Sequence, residues 1–351
     1  MTGRSAAIQG GLAAIGLLAA HFTWQREPER APGEIAMVDA AKSEVTHVRY
    51  EDQNTILALD RRAGDPETSV WVHLEPKAIE NSPVKPGDPP PPPTPPSAPP
   101  RDLRGNADAV KLADRFSPLV SPRAFGVVDK AKYVELGLDA PTRHLEMTVR
   151  GDVHKYDVGI ALHAQNGEAF FRDLRDNRVY LVPRGLLNEL GNAKRLIDSR
   201  LHTFDTKQFD KIVITAGGKK RELVHFGRDN FSTDAYASVK TPDKRDQMAK
   251  NWHDALWRTF PMEVLGKDEK PGEKPGKDPG KLTTVLRVEY SEKGAPVGWI
   301  EIARLEGGGG DSSVSGVNDD LYARSEYTLG WTRLHASEEL VTDAEKVAAT
   351  P

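Results

Sequence analysis

The sequence predicts an α+β fold: two tandem related units of mainly antiparallel sheet with short packing helices, preceded by one transmembrane helix. Three observations carry this expectation. Ser5 to Gln25 is a run of 21 residues without a formal charge, bracketed by Arg4 and Arg26. Short alternating runs such as Val45-Thr46-His47-Val48-Arg49-Tyr50 recur along the body, with the period of a half-buried strand. The order of these runs begins again near Gln208. The length of 351 residues suits about two domains once tails and linkers are removed. With 48 Lys+Arg against 52 Asp+Glu, the net charge of -4 gives no electrostatic reason for a nucleic-acid partner. Cysteine is absent, which excludes disulfide frameworks, thiolate metal sites and a cysteine nucleophile.

Taken in order, Ser5 to Gln25 meets the ~20 residues needed to span a bilayer, and Phe22 and Trp24 stand at its exit, where interfacial rings are favoured. A cleaved signal peptide would need a small-x-small site, and Leu18 fits that poorly; a buried helix is the third reading. Arg4 and the terminal amine are positive on the short side, whereas Arg26, Glu27, Glu29 and Arg30 cancel on the other. The expected location is therefore the inner membrane, single-pass, with residues 1–4 cytoplasmic, 5–25 spanning and the body periplasmic.

Residues 34–78 carry the first strands of unit one: Val45 to Tyr50, Thr55 to Asp60 and Ser69 to Leu74. From Pro83 to Pro100, 11 of 18 residues are Pro, so 79–105 reads as a disordered, extended spacer rather than a ligand for an aromatic groove. Residues 106–200 complete the unit. They begin with a helix through Ala107, Val110, Leu112, Ala113 and Phe116, then strands at His144–Val149, Lys155–Ile160, Ala169–Asp173 and Arg178–Val182, then a helix at Leu186, Leu187 and Leu190. Unit two, 206–345, repeats this order: strands at Asp210–Ile214 and Arg221–Phe226, a helix within Met248–Phe260, strands at Val285–Tyr290, Val297–Ala303 and Leu321–Arg324, and a closing helix from Ser337. Residues 267–281 hold only Lys, acids, Pro and Gly and read as a solvated linker; 307–316 reads as a Gly-rich loop.

Chemistry is sparse. Gly307–Gly310 lacks the Lys-Ser/Thr of a phosphate loop, and Gly217-Gly218 joins two strands as a hairpin turn. No two of the ten histidines have zinc-hydrolase spacing; His144, His154 and His163 come nearest to a cluster, on consecutive strands. Asp173 with Asp176 and Asp319-Asp320 are turn acids, and Ser121, Ser199 and Ser232 have no nucleophile setting. Trp252 and Trp257 fit core packing better than a ligand platform. No catalytic, metal or cofactor residue is therefore assigned.

The turn Leu136-Gly137-Leu138-Asp139-Ala140-Pro141, the strand Tyr156-Asp157-Val158-Gly159-Ile160, Phe170-Phe171-Arg172 and Val179-Tyr180-Leu181-Val182 together resemble the bacterial domain of unknown function 4340 family. Trp71 and Phe204-Asp205 are also similar to it, and the likeness runs from Ser69 to Phe226 and more weakly beyond. The resemblance implies a membrane-anchored extracytoplasmic protein associated with gliding-type ABC export systems, with a transporter permease or an envelope protein as partner. Leu136, Gly137, Leu138, Asp139, Pro141, Gly159 and Tyr180 are its structural motif, with roles in backbone freedom, turn rigidity and packing. The function expected is thus a non-catalytic binding or accessory protein without cofactor. The alternatives are a periplasmic carboxylate-dependent hydrolase of envelope polymer and a purely structural envelope spacer.

Overall fold

A computed structural model describes residues 34–77, 99–161, 168–230, 233–273, 280–306 and 321–351. Its first half contains strands β1 (Ile35–Val38), β2 (Val45–Glu51), β3 (Thr55–Arg61), β4 (Val70–Pro76), β5 (Arg101–Arg104) and β6 (Leu119–Ser121). They are followed by β7 (Arg123–Val127), β8 (His144–Val149), β9 (Asp152–Ile160), β10 (Glu168–Asp173) and β11 (Arg178–Pro183). Helix α1 (Ala107–Asp114) lies between β5 and β6, the single turn α2 (Tyr133–Leu136) between β7 and β8, and α3 (Arg184–Leu190) after β11. The second half contains β12 (Lys211–Ala216), β13 (Lys219–Phe226), β14 (Ala235–Ser238), α4 (Gln247–Trp257), β15 (Phe260–Val264), β16 (Lys281–Glu292), β17 (Ala295–Glu306), β18 (Leu321–Ser325), β19 (Thr332–His335) and α5 (Glu338–Ala349).

Nine strands form one antiparallel sheet in the order β5-β4-β3-β2-β8-β9-β10-β11-β7, and eight form a second in the order β14-β13-β12-β16-β17-β18-β19-β15. With β5 set aside, the two orders are the same. Each sheet buries one face under helices. In the first, Val48, Leu57, Val72, Met147 and Phe171 pack with Ala109 and Leu112 of α1 and with Leu186, Leu187 and Leu190 of α3. In the second, Ile212, Ile214, Leu223, Val288 and Ile302 pack with Trp252 and Leu256 of α4 and with Val341, Ala344 and Val347 of α5. The period-2 pattern explains this directly, since alternate residues such as Ile212 and Ile214 face the helices while Lys211 and Thr215 do not. Gly217 and Gly218, both with positive φ, close the two-residue β12–β13 turn.

The fold class expected from sequence needs correction. Strand accounts for 46% of the described residues and helix for 19%, mostly antiparallel sheet with five helices, and the part of the expectation that is corrected is the leading membrane span. Among the described residues no helix is long and apolar enough to cross a membrane. The longest, α5, has 12 residues, about 18 Å at ~1.5 Å per residue against a hydrocarbon layer of ~30 Å. The span expected at 5–25 lies outside the described residues. The leading transmembrane helix, and with it the single-pass inner-membrane location with a periplasmic body, is not carried by this structure.

One expected spacer ends in a strand, and one expected linker makes a contact to the first half. Arg101–Arg104, placed in the disordered spacer 79–105, forms β5 and pairs with β4 from Trp71↔Arg104 to Leu74↔Arg101. Within 267–281, Glu269 accepts hydrogen bonds from both Nε and Nη2 of Arg101, at 2.7 and 2.6 Å. Neither segment has the apolar alternation of a core strand, and each is held by a partner distant in sequence.

Candidate functional site

A cleft of about 830 Å³ opens beside the segment that leads from the first sheet to the second. Its walls are the β3–β4 loop from Arg62 to Ser69, the start of α1, and Ile197 to Arg200. Local chemistry builds each wall. Asp65 Oδ1 accepts the Glu67 amide, and the buried Thr68 hydroxyl bonds the carbonyls of Val70 and Gly105, closing the loop against β5. A Cβ on Gly105 would stand 2.6 Å from Val70 O and 2.8 Å from Ala109 Cβ, so only glycine lets α1 leave β5 this closely. Asn106 caps α1 by accepting from the Asp108 and Ala109 amides, and its Nδ2 donates to Arg195 O. The Asp198 amide donates to Arg104 O, fixing the connecting segment along the end of β5.

Tyr327, from the β18–β19 connection, enters this junction from the second half. Its ring lies between two guanidinium groups, Arg104 at 4.7 Å and Arg200 at 4.8 Å from the centroid. Its hydroxyl donates to Asp198 Oδ2 at 2.8 Å and accepts from Arg200 Nη2 at 2.9 Å. Arg104 also donates to Tyr327 O and reaches Asp65 at 2.7 Å. Glu67 lies 3.6 Å from Arg200. Burial pushes the Tyr327 phenol up to about 12, aided by the adjacent Asp198 carboxylate. Burial opposes ionisation of Asp65 and Asp198, but hydrogen bonds from Arg104 to the first and from Arg200 and Tyr327 to the second outweigh it and hold both below the usual carboxylate range. Asp65 and Asp198 are therefore carboxylates held ionised by arginines, unsuited to general-acid work at neutral pH, and the site offers charge-assisted hydrogen bonds to a ligand.

A second hollow, about 410 Å³, lies on the other side of the connecting segment, between His202, Phe204, Trp257 and Phe260. His202 stacks on Trp257 at 5.0 Å and bonds Glu326 at 3.0 Å. Behind it, His253 is wholly buried. Desolvation lowers its pKa to about 3; its Nδ1 bonds the Tyr236 hydroxyl, and Nε2 has no hydrogen-bond partner among the described residues.

The residues singled out from sequence sit elsewhere. Leu136-Gly137 and Gly159 do meet: a Cβ on Gly159 would stand 2.2 Å from Leu136 O, and one on Gly137, at φ 68°, would stand 2.5 Å from Ile160 O. Leu138 is buried with Tyr133, Phe170 and Val179. Tyr180 is buried opposite Phe171 on the other face of the sheet, Asp139 is exposed and Pro141 half-buried. None of the seven lines the cleft. His144 pairs with Asp157 while His154 faces Met147, so the two lie on opposite faces of the sheet; His163 is outside the described residues. Ser121 bonds backbone carbonyls, Asp173 holds Arg175, and Trp252 donates to Leu340 O. Ser232, Asp319, Asp320 and Gly307–Gly310 lie outside the described residues. Sequence reasoning missed Arg104, Arg200 and Tyr327; only the Asp198-Ser199-Arg200 turn has a local signature, its carboxylate accepting the Arg200 amide at 3.0 Å. Among the described residues no group of three or more His, Cys, Asp or Glu side chains is placed to hold a metal ion.

No protein-family model matches the chain, and no solved structure matches it. A segment is 30% identical over 125 residues to the ATP-dependent zinc metalloprotease FtsH of Aquifex aeolicus (strain VF5), covering 34% of this chain and 19% of that protein. The match thus spans about a fifth of the relative's length.

Proposed function

We propose that this chain is a non-catalytic binding or accessory protein, a rigid pair of like sheets that holds a partner at their junction and edges. The observation that supports this best is the pairing of two of the cleft's acids: Asp65 and Asp198 each bond an arginine, at 2.7 and 2.8 Å. Hydrolysis by paired carboxylates needs one acid kept protonated near neutral pH, and arginine neighbours work against that. The protease activity named for the Aquifex protein gives no support to an enzymatic reading, since no two histidines of this chain are four residues apart. The resemblance to the domain of unknown function 4340 family makes a gliding-type ABC export system the first assembly to test.

The test pairs two measurements on the full chain. Cross-linking and co-purification with a candidate ABC permease should recover a stoichiometric complex. Incubation with envelope glycan should release no reducing ends above those of the Asp65→Asn/Asp198→Asn variant. Glycan cleavage that this variant abolishes would establish the hydrolase instead.

A further inference from the structure

The first sheet ends at β7, whose outer edge pairs with no strand among the described residues. Phe125 and Val127 on it are 39% and 69% exposed, and Val134 in the following turn is 54% exposed. Phe125 is nonetheless held in place, with its ring 5.8 Å from Phe170 and the Arg123 guanidinium 4.8 Å from its centroid. Exposed Arg123 and Arg184 stand at one end of this strip and exposed Lys130 and Lys132 at the other, the two lysines lying between Asp129, whose carboxylate accepts the Ala131 amide, and exposed Glu135; none of the four cations forms an ion pair among the described residues. A packed aromatic ring in an exposed apolar strip flanked by unpaired cations is the pattern of a binding edge rather than of ordinary solvated surface.

The second sheet shows what the same edge does elsewhere in this chain. β15 occupies the place of β7 in the strand order, and both are bulged at the same step. Phe125, skipped between Ala124 and Gly126, corresponds to Met262, skipped between Pro261 and Glu263. At β15 the residue after the bulge, Glu263, receives Arg101 of β5 at 2.8 Å, with Glu269 beside it. An acidic edge there takes a basic strand end from the first unit. At β7 the corresponding residue is Gly126, and the one charge within the strand is basic, Arg123, where β15 has only Glu263.

We propose that the β7 edge docks a short, extended, acidic segment of a partner protein, with apolar residues of that segment against Phe125 and Val127 and its carboxylates against Arg123, Lys130, Lys132 and Arg184. This rests on the binding reading above and names its surface and partner chemistry. The bulge, with Gly126 at φ 68°, interrupts the edge so that few backbone hydrogen bonds are available to an added strand. Side-chain chemistry then decides which segment is accepted.

The test is fluorescence anisotropy of the full chain with a labelled, end-capped peptide Glu-Val-Glu-Phe-Glu-Val, and with the same peptide carrying Lys for Glu. The acidic peptide should bind at least about tenfold more tightly than the basic one, and less tightly as salt rises. Phe125→Asp and, separately, Lys130→Glu/Lys132→Glu should each weaken it about tenfold or more without changing the circular dichroism spectrum or thermal midpoint. Absence of binding to the wild-type chain, equal binding of both peptides, or full binding by either variant overturns the proposal. If the wild-type chain forms the permease complex but does not bind the acidic peptide, the edge assignment falls and the binding reading stands; if it does neither, both fall.

Discussion

Tyr327 joins the two halves of the chain, and removing its hydroxyl probes that junction. In Tyr327→Phe the ring stays between Arg104 and Arg200, so the two stacking contacts at 4.7 and 4.8 Å are kept. What is lost is the 2.8 Å bond to Asp198 and the 2.9 Å bond from Arg200. A hydrogen bond to a charged group contributes ~1.5–3 kcal/mol. Asp198 keeps Arg200 as a partner through Nε and Nη2, at 3.0 and 2.8 Å, so the lower part of that range applies, about 1.5–2 kcal/mol. Tyr327→Leu also removes the stacks, each worth ~0.5–1 kcal/mol at a partly exposed site, and should cost about 1–2 kcal/mol more. Urea unfolding followed by tryptophan fluorescence measures both, and a cycle with Asp198→Asn isolates the hydroxyl–carboxylate coupling, expected at about 1 kcal/mol or more. If Tyr327→Phe lies within ~0.3 kcal/mol of wild type and adds independently to Asp198→Asn, the junction is not held as described.

Other perturbations read other parts of the structure. His253 has a folded-state pKa near 3 against about 6.5 unfolded; its contribution is fully present above pH ~6.5 and falls as pH drops toward 3, at no more than ~1.4 kcal/mol per pH unit. His253→Gln should flatten that slope in a series of thermal melts, and an unchanged slope would assign it to other groups. Asp246 caps α4 through the Ala249 amide and pairs with buried Arg221 at 2.7 Å. Asp246→Ala should therefore cost ~3 kcal/mol or more by calorimetry, and Asp246→Asn, which keeps an acceptor for the cap, distinctly less. Gly159→Ala places a methyl group against Leu136 O and should lower expression and the thermal midpoint, whereas Gly185→Ala, with nothing within 4 Å, should do neither.

Most of the paired strands were legible because each is a local pattern with one buried face. Val45–Tyr50, Lys155–Ile160 and Val285–Tyr290 all fall inside observed strands. The edge strands were not. β5 has Leu103 as its only buried apolar residue, and β7 and β15 are short, bulged and half exposed, so none carries the period that marks a core strand. The cleft was hidden for a related reason. Asp65, Arg104, Asp198, Arg200 and Tyr327 span more than 260 positions of sequence, and each taken alone is an ordinary turn or surface residue.

What the amino-acid order decided by itself is the set of elements with a buried stripe and the glycine turns such as Gly217-Gly218, because these depend on spacing over a few residues and on the missing Cβ. Tertiary structure alone decided which strands end the sheets, that Tyr327 is gripped by Arg104 and Arg200, and that β7 and β15, with Arg123 and Glu263 as their single charges, are equivalent edges. Edges and junctions arise where distant segments meet, and the free energy of such a meeting belongs to the pair and is written in neither partner's local sequence.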